Sequence, residues 1–339
     1  MDRRSFIVAL AALFGCGQKE EPKKALDAAG PAQSAAAPPT RIPRVAVLYF
    51  GSQSPIVQRR ARVFRERLSE LGYVEGKTIL IDERYADGDA RQLAQIAREL
   101  ATSKVDVIVA QAVAATLAAR QATSTIPIVM VHAGDPIHAG LIDSLAHPGG
   151  NVTGTMNLPH GGKHVDLLRE LVPSVSKLAI LVNPTNAGAA AVVTTATEAA
   201  GKAGIGVIVA EVVRAEDLPT AFVAIRGAHA DGLIVGAEPL IGTHRDQIID
   251  FASTARLPAI YDEGDFVRAG GLIAYATKFT EHYAIAAEYV DKILKGAKPG
   301  DLPVQQPARF ELVINLKTAK ALGLAIPRDL LLRADEVVQ

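Results

Sequence analysis

The chain has 339 residues, 36 basic against 36 acidic side chains, 49% hydrophobic residues, one cysteine and no tryptophan. That length exceeds one ordinary core and suits two domains, and the charges are too few and too balanced for a disordered chain. Zero formal charge without a long basic run gives no footprint for nucleic acid, and a lone cysteine makes neither an internal disulfide nor a cysteine-based zinc site.

Residues 1–16 carry Arg3 and Arg4, an apolar run from Phe6 to Phe14, then Gly15 and Cys16. This is a secretory signal layout, and the run is too short for the roughly 20 residues that a bilayer span needs. Arg3-Arg4-Ser5-Phe6-Ile7 resembles a twin-arginine export motif, and Leu13-Phe14-Gly15-Cys16 resembles a lipobox, although Phe14 stands where a small residue is usual. Lipidation at Cys16 is expected; the alternative is an unmodified thiol beside an ordinary cleaved signal. Residues 17–41 hold almost nothing large and apolar, so they read as a flexible tether.

Arg44-Val-Ala-Val-Leu-Tyr-Phe50 is a continuous apolar run ending at Gly51, the pattern of a strand buried on both faces. Residues 59–71 then show helical spacing and stop at Gly72. The alternation continues with strand 78–85, helix 89–102, strand 105–110, helix 112–122, strand 128–132, a short helix, and strand 151–156. It restarts with helix 163–171, strand 178–183, helix 187–203, strand 207–211 and helix 218–227. Strands 232–236, 259–261 and 272–275, helix 281–294, strand 310–315 and helix 316–322 complete it. Such alternation predicts an α/β chain with two doubly wound parallel-sheet lobes. Chain left over after two lobes predicts crossings near Asn157, residues 276–280 and residues 307–310.

A cleft between parallel sheets receives the C-terminal ends of strands and the N-termini of helices, so polar residues there are the binding candidates. After the first strand these are Phe50, Gly51, Ser52 and Gln53, where the helix start favours an anion or is simply capped. Gln111, Ala112 and Val113 repeat the arrangement. Asp135, before Pro136, suits a ligand ammonium or caps the next helix. Asn157, Asn183, Glu238, Tyr261, Asp262 and Tyr275 complete the set, with Glu263 beside Asp262. Phe50, Tyr261 and Tyr275 offer stacking surface or core packing. His132 ends a strand and reads as a structural histidine ahead of a catalytic base. His160 and His164 stand four apart, yet Gly161 and Gly162 put His160 before the helix, which favours two solvated residues over a metal pair. No Gly-x-Gly-x-x-Gly follows the first strand, and there is neither a Walker loop nor a Gly-x-Ser-x-Gly elbow, so no cofactor, metal or catalytic residue is assigned.

Several stretches carry a family resemblance. They are Glu70-Leu71-Gly72-Tyr73-Val74-Glu75-Gly76, Ile126-Pro127-Ile128-Val129, Gly134-Asp135-Pro136, His147-Pro148-Gly149-Gly150-Asn151-Val152-Thr153-Gly154, Tyr289-Val290-Asp291-Lys292-Ile293-Leu294-Lys295-Gly296 and Phe310-Glu311-Leu312-Val313-Ile314-Asn315. From residue 42 to 338 the chain resembles the periplasmic solute-binding proteins of ABC importers, in the type 1 family that includes tryptophan- and tyrosine-type binders. The resemblance implies a first lobe of residues 42–157 plus 277–308 and a second of 158–276 plus 309–335, joined by a multi-crossing hinge. It also implies a non-enzymatic receptor that closes on a small molecule, such as an amino acid, and hands it to an inner-membrane permease. The setting implied is a periplasmic monomer, lipid-anchored at Cys16, with no nucleic-acid partner. The chain departs from the family at Tyr275-Ala276, where Tyr-Gly is frequent, and at Glu281-His282, where a basic pair is frequent. A periplasmic sensory module for a receptor kinase is the alternative, and an enzyme or a repressor effector domain stands further off.

Overall fold

The computed structural model describes residues 41–157, 159–186, 188–236, 238–306 and 309–339. Cys16, the export motif and residues 17–40 lie outside them. In chain order the first part runs β1 (Arg44–Tyr49), α1 (Pro55–Glu70), β2 (Leu80–Tyr85), α2 (Ala90–Thr102), β3 (Val107–Gln111), α3 (Ala112–Ala122), β4 (Ile128–Ala133) and β5 (Val152–Met156). These strands form one parallel sheet of order β2-β1-β3-β4-β5. Period-two alternation sends Val45, Val47 and Tyr49 to one face and Ala46 and Leu48 to the other. Leu93, Ile96 and Leu100 of α2 and Ala115 and Ala119 of α3 cover the second face.

The second part runs α4 (Gly161–Leu171), β6 (Lys177–Val182), α5 (Ala189–Lys202), β7 (Gly206–Glu211), α6 (Leu218–Gly227), β8 (Gly232–Val235), α7 (Pro239–Thr243), α8 (Arg245–Thr254), β9 (Ala259–Tyr261), α9 (Gly264–Arg268) and β10 (Ile273–Thr277). The chain then returns to the first sheet as α10 (Phe279–Leu294), whose Tyr283, Ala286, Tyr289 and Val290 pack on the Val45, Val47 and Tyr49 face with Phe64 of α1. It crosses once more into β11 (Phe310–Asn315), α11 (Leu316–Leu322), α12 (Arg328–Arg333) and β12 (Glu336–Val338). The second sheet has the order β12-β11-β10-β9-β8-β6-β7.

Three passages therefore join the sheets: 157–160, 277–279 and 306–309. The last two lie side by side, with the Lys278 N–H donating to the Arg309 carbonyl at 3.2 Å. Before leaving, Gln305 seals the edge of β5, donating its N–H to Gly154 and accepting from Met156.

Four departures from the sequence reading have physical causes. Strand β11 runs antiparallel to β10, because α10 and the loop after it carry the chain to the first lobe and back. Helix α1 starts at Pro55 because Ser54 caps it, its hydroxyl accepting from the Val57 N–H at 3.3 Å. No helix follows β4; the Asp135 carboxylate instead accepts from the His138 N–H at 3.0 Å in a run of turns. His160 and His164 are buried rather than solvated, the first against the edge of Phe310 and the second in the core of α4. Ala276, which stands where the family often has glycine, lies inside β10 opposite Glu311 and without positive φ, so nothing there requires glycine.

Candidate functional site

The C-terminal ends of both sheets face a cavity of about 770 Å³. The first sheet contributes Gly51, Ser52 and Gln53 after β1, Gln111 and Ala112 after β3, Asp135 after β4 and Asn157 after β5. The second contributes Asn183 after β6, Glu238 after β8 and Asp262 after β9. A parallel sheet brings these together because every strand ends on the same edge, where backbone groups are no longer used by the ladder.

Four candidates lie off the wall. Phe50 and Val113 pack against the first core. Tyr261 alternates onto the face that holds Phe266 and stacks on it at 4.8 Å. Tyr275 lies flat against Phe310 at 5.3 Å, next to the second core. Position near a strand end identified these side chains; strand parity turned Tyr261 and Tyr275 toward the core, and Val113 lies on the buried face of α3.

Two cavity-wall residues adopt left-handed backbone without being glycine: Ala112, with φ of 61°, and His132, with φ of 55°. Each such residue costs on the order of 1 kcal/mol or more. At His132 the cause is visible. Strand β4 shifts register against β5 between Met130 and Ala133, and Gly154 sits opposite the shift, where a Cβ would meet the Met130 carbonyl oxygen at 2.1 Å.

Glu238 accepts from the Ile241 N–H at 2.7 Å and from Asn183 Nδ2 at 3.3 Å. Desolvation raises its carboxyl above the usual carboxylate range, opposed by those hydrogen bonds. Asp262 Oδ1 lies 3.9 Å from His164 Nε2.

Of the residues that bridge the two lobes, the sequence reading named Glu263 but not Arg59, Arg60 or Asp265. Arg60 of α1 is 6% exposed and donates to Glu263 at 2.8 Å, with Asp265 at 3.5 Å. Arg59 reaches Asp265 at 2.8 Å. Burial pushes the Glu263 carboxyl up against the pull of Arg60. Burial opposes the charge on Asp265 as well, but Arg60, Arg59 and Arg268 together hold its pKa below the usual value. A second lip is closed by backbone alone: a Cβ on Gly134 would lie 2.8 Å from Gly188 of the other lobe.

Phe279 is the one carbocyclic aromatic on the wall among the described residues. The Arg60 guanidinium carbon lies 3.6 Å from its ring centroid and the His132 ring 4.0 Å from it. Two groups at those distances would overlap on one face, so they occupy opposite faces and leave none for a ligand ring. Among the described residues, no group of three or more histidine, cysteine or carboxylate side chains is placed to hold a metal ion.

A family model described as ABC transporter substrate binding protein matches residues 44–338. A tyrosine-binding protein of Clostridioides difficile is 29% identical over 272 residues, 80% of this chain and 79% of that one. The structure of an ABC domain in complex with L-Trp from Streptococcus pneumonia superposes with a TM-score of 0.83 at 26% identity, covering 88% of this chain and 100% of that one. The ligand-free, open structure of a substrate binding protein with adhesive properties from Clostridium difficile covers the same shares at 25% identity, with a TM-score of 0.66.

Proposed function

The chain belongs to the ABC transporter substrate-binding protein family, and from that premise we propose that it is the extracytoplasmic receptor of an importer, closing two lobes on an amino-acid-type ligand and presenting it to a membrane permease. The family binds solutes rather than converting them. The observation that carries the reading is the cavity itself. Strand ends of two separate sheets line it, and side chains of one lobe pair with side chains of the other across it.

Within this reading residues 42–157 plus 277–308 form one lobe and 158–276 plus 309–335 the other, the latter extended by β12 to Val338. Ser52, Gln53, Gln111, Asp135, Asn157, Asn183, Glu238 and Asp262 supply the polar contacts, with Gly51 and Ala112 giving the ligand access to backbone. A ligand ring, if present, meets something other than a face of Phe279, so the aromatic side chains bound by the relatives are not favoured here by stacking. Cys16 carries the lipid that holds a monomeric protein at the outer face of the inner membrane. No helix among the described residues is long and apolar enough to cross a membrane.

A thermal-shift panel of amino acids, short peptides and nucleosides tests the proposal. A ligand at about 100 times its dissociation constant stabilises the closed form by about 2.7 kcal/mol. Silence from every amino acid in the panel counts against the ligand class. Because the chain has no tryptophan, L-tryptophan added as a ligand fluoresces without protein background and is titrated directly.

A further inference from the structure

Four hydrogen bonds form one chain where β4, β5, α10 and the end of β10 meet at the hinge. The His132 N–H donates to Thr155 Oγ1 at 3.1 Å; Thr155 Oγ1 and His282 Nδ1 are 3.0 Å apart; His282 Nε2 and Thr277 Oγ1 are 3.0 Å apart; and Thr277 Oγ1 donates to Asn157 Oδ1 at 3.1 Å. Thr155, His282 and Thr277 are all buried.

The direction of this chain follows from proton counting. A backbone N–H only donates, so Thr155 accepts at one end, and its own hydroxyl proton needs an acceptor. The neutral His282 ring supplies one at Nδ1, which leaves the ring proton on Nε2, donating to Thr277. Thr277 then passes its proton to Asn157 Oδ1. The reverse direction leaves the buried Thr155 hydroxyl proton with no acceptor among the described residues, which costs the desolvation of that group. Desolvation, with the fields of Arg60 and His160, holds the His282 pKa down at about 3, so the ring stays neutral throughout the ordinary range.

Asn157 lines the cavity, and its Nδ2 makes no hydrogen bond among the described residues. We propose that His282 is a positioning residue: through Thr277 it fixes the Asn157 carboxamide with its oxygen toward the hinge and its NH2 toward the cavity, making that wall a subsite for a ligand carboxylate. An amide free to flip would offer an oxygen there half the time and repel the same group. The assignment rests on the amino-acid reading above only for the identity of the ligand; the proton arrangement stands independently.

The tautomer is read without ligand. In 15N-histidine-labelled protein, His282, assigned by loss of its signal in His282→Gln, is expected to show a protonated Nε2 and a bare Nδ1. A protonated Nδ1 or an imidazolium at pH 7 overturns the proposal. The binding arm compares L-tyrosine with tyramine, which lacks the carboxylate, by calorimetry on the full chain. Thr277→Val is expected to lower L-tyrosine affinity about tenfold or more, the effect of losing a hydrogen bond to a charged group, while tyramine affinity stays put and Thr277→Ser restores L-tyrosine binding. Equal losses for both probes reduce Thr277 and His282 to structural residues and overturn it. If the wild type binds neither probe nor any amino acid, the amino-acid reading fails, and the tautomer alone decides the positioning role.

Discussion

Two of the places where the lobes meet are built from opposite materials. On the hinge side, Thr155, His282, Thr277 and Asn157 are linked by hydrogen bonds between neutral groups. At the mouth, Arg59 and Arg60 meet Glu263 and Asp265 as ions. The hinge stays together when a clamp opens, so directional neutral bonds serve there and water never has to replace them. The mouth parts. Ions leaving a mouth regain hydration that offsets most of their lost attraction, which keeps a buried ion pair near break-even and the opening reversible.

Acid should break the hinge side with the largest effect. Burial lowers the pKa of His160 to about 3, His164 to about 4 and His282 to about 3, and holds His132 well below its usual range. Unfolded, each takes a proton near pH 6.5, so below that pH the unfolded chain binds more protons and stability falls as pH falls. Each histidine contributes up to about 1.4 kcal/mol per pH unit, and for His160, His164 and His282 this continues until the folded form protonates near 3 to 4. These rings face one another and Arg60, so no neighbouring carboxylate relieves the first proton at His282. Thermal unfolding between pH 7 and pH 4 should show a steep loss. A melting temperature flat to pH 4 would mean that the rings are hydrated.

The mouth is broken by Glu263→Ala, which removes the shorter of the two Arg60 pairs and leaves only the 3.5 Å contact to Asp265. In a fixed interior that costs about 3–5 kcal/mol. Here the lobes part and hydrate Arg60 instead, so the expected result is a larger radius of gyration in solution scattering of the free protein, with only a small change in melting temperature. The full stability loss without expansion would show the mouth to be ordinary core.

Arg59→Ala sharpens the contrast within the mouth. Arg59 is 52% exposed, so its pair with Asp265 is worth less than about 1 kcal/mol. Scattering is expected to stay unchanged and ligand affinity to fall less than about fivefold; a larger fall would place Arg59 in contact with the ligand.

Much of this was legible in the sequence. Apolar runs such as Val45–Tyr49 announce buried parallel strands, and a parallel sheet determines that Gln111 and Asp135 end on one edge of the first sheet and Asn183 and Glu238 on one edge of the second. Legibility ends where a residue's role depends on a partner far along the chain. Nothing local marks Arg59 and Arg60 as bridging residues, because their partners Asp265 and Glu263 stand some two hundred residues away. Tyr261 reads as a strand-end aromatic until the parity of a three-residue strand turns it toward Phe266. His160 and His164 read as exposed because their cover comes from Tyr275 and Phe310. The antiparallel β11 gives no local sign, since pairing direction is absent from a strand's own composition.

Helix α10 brings a consequence for the order in which the molecule is built. The first lobe's sheet is complete once β5 has been made, yet one of its faces waits for Tyr283, Ala286, Tyr289 and Val290, which leave the ribosome only after eleven elements of the second part, α4 to β10. Until then Val45, Val47, Tyr49 and Phe64 lack the part of their cover that α10 supplies. Contacts so distant in sequence close slowly, and the exposed face invites aggregation meanwhile. The lobe begun first is therefore finished late, and a nascent chain halted before Phe279 should be the species that chaperones hold.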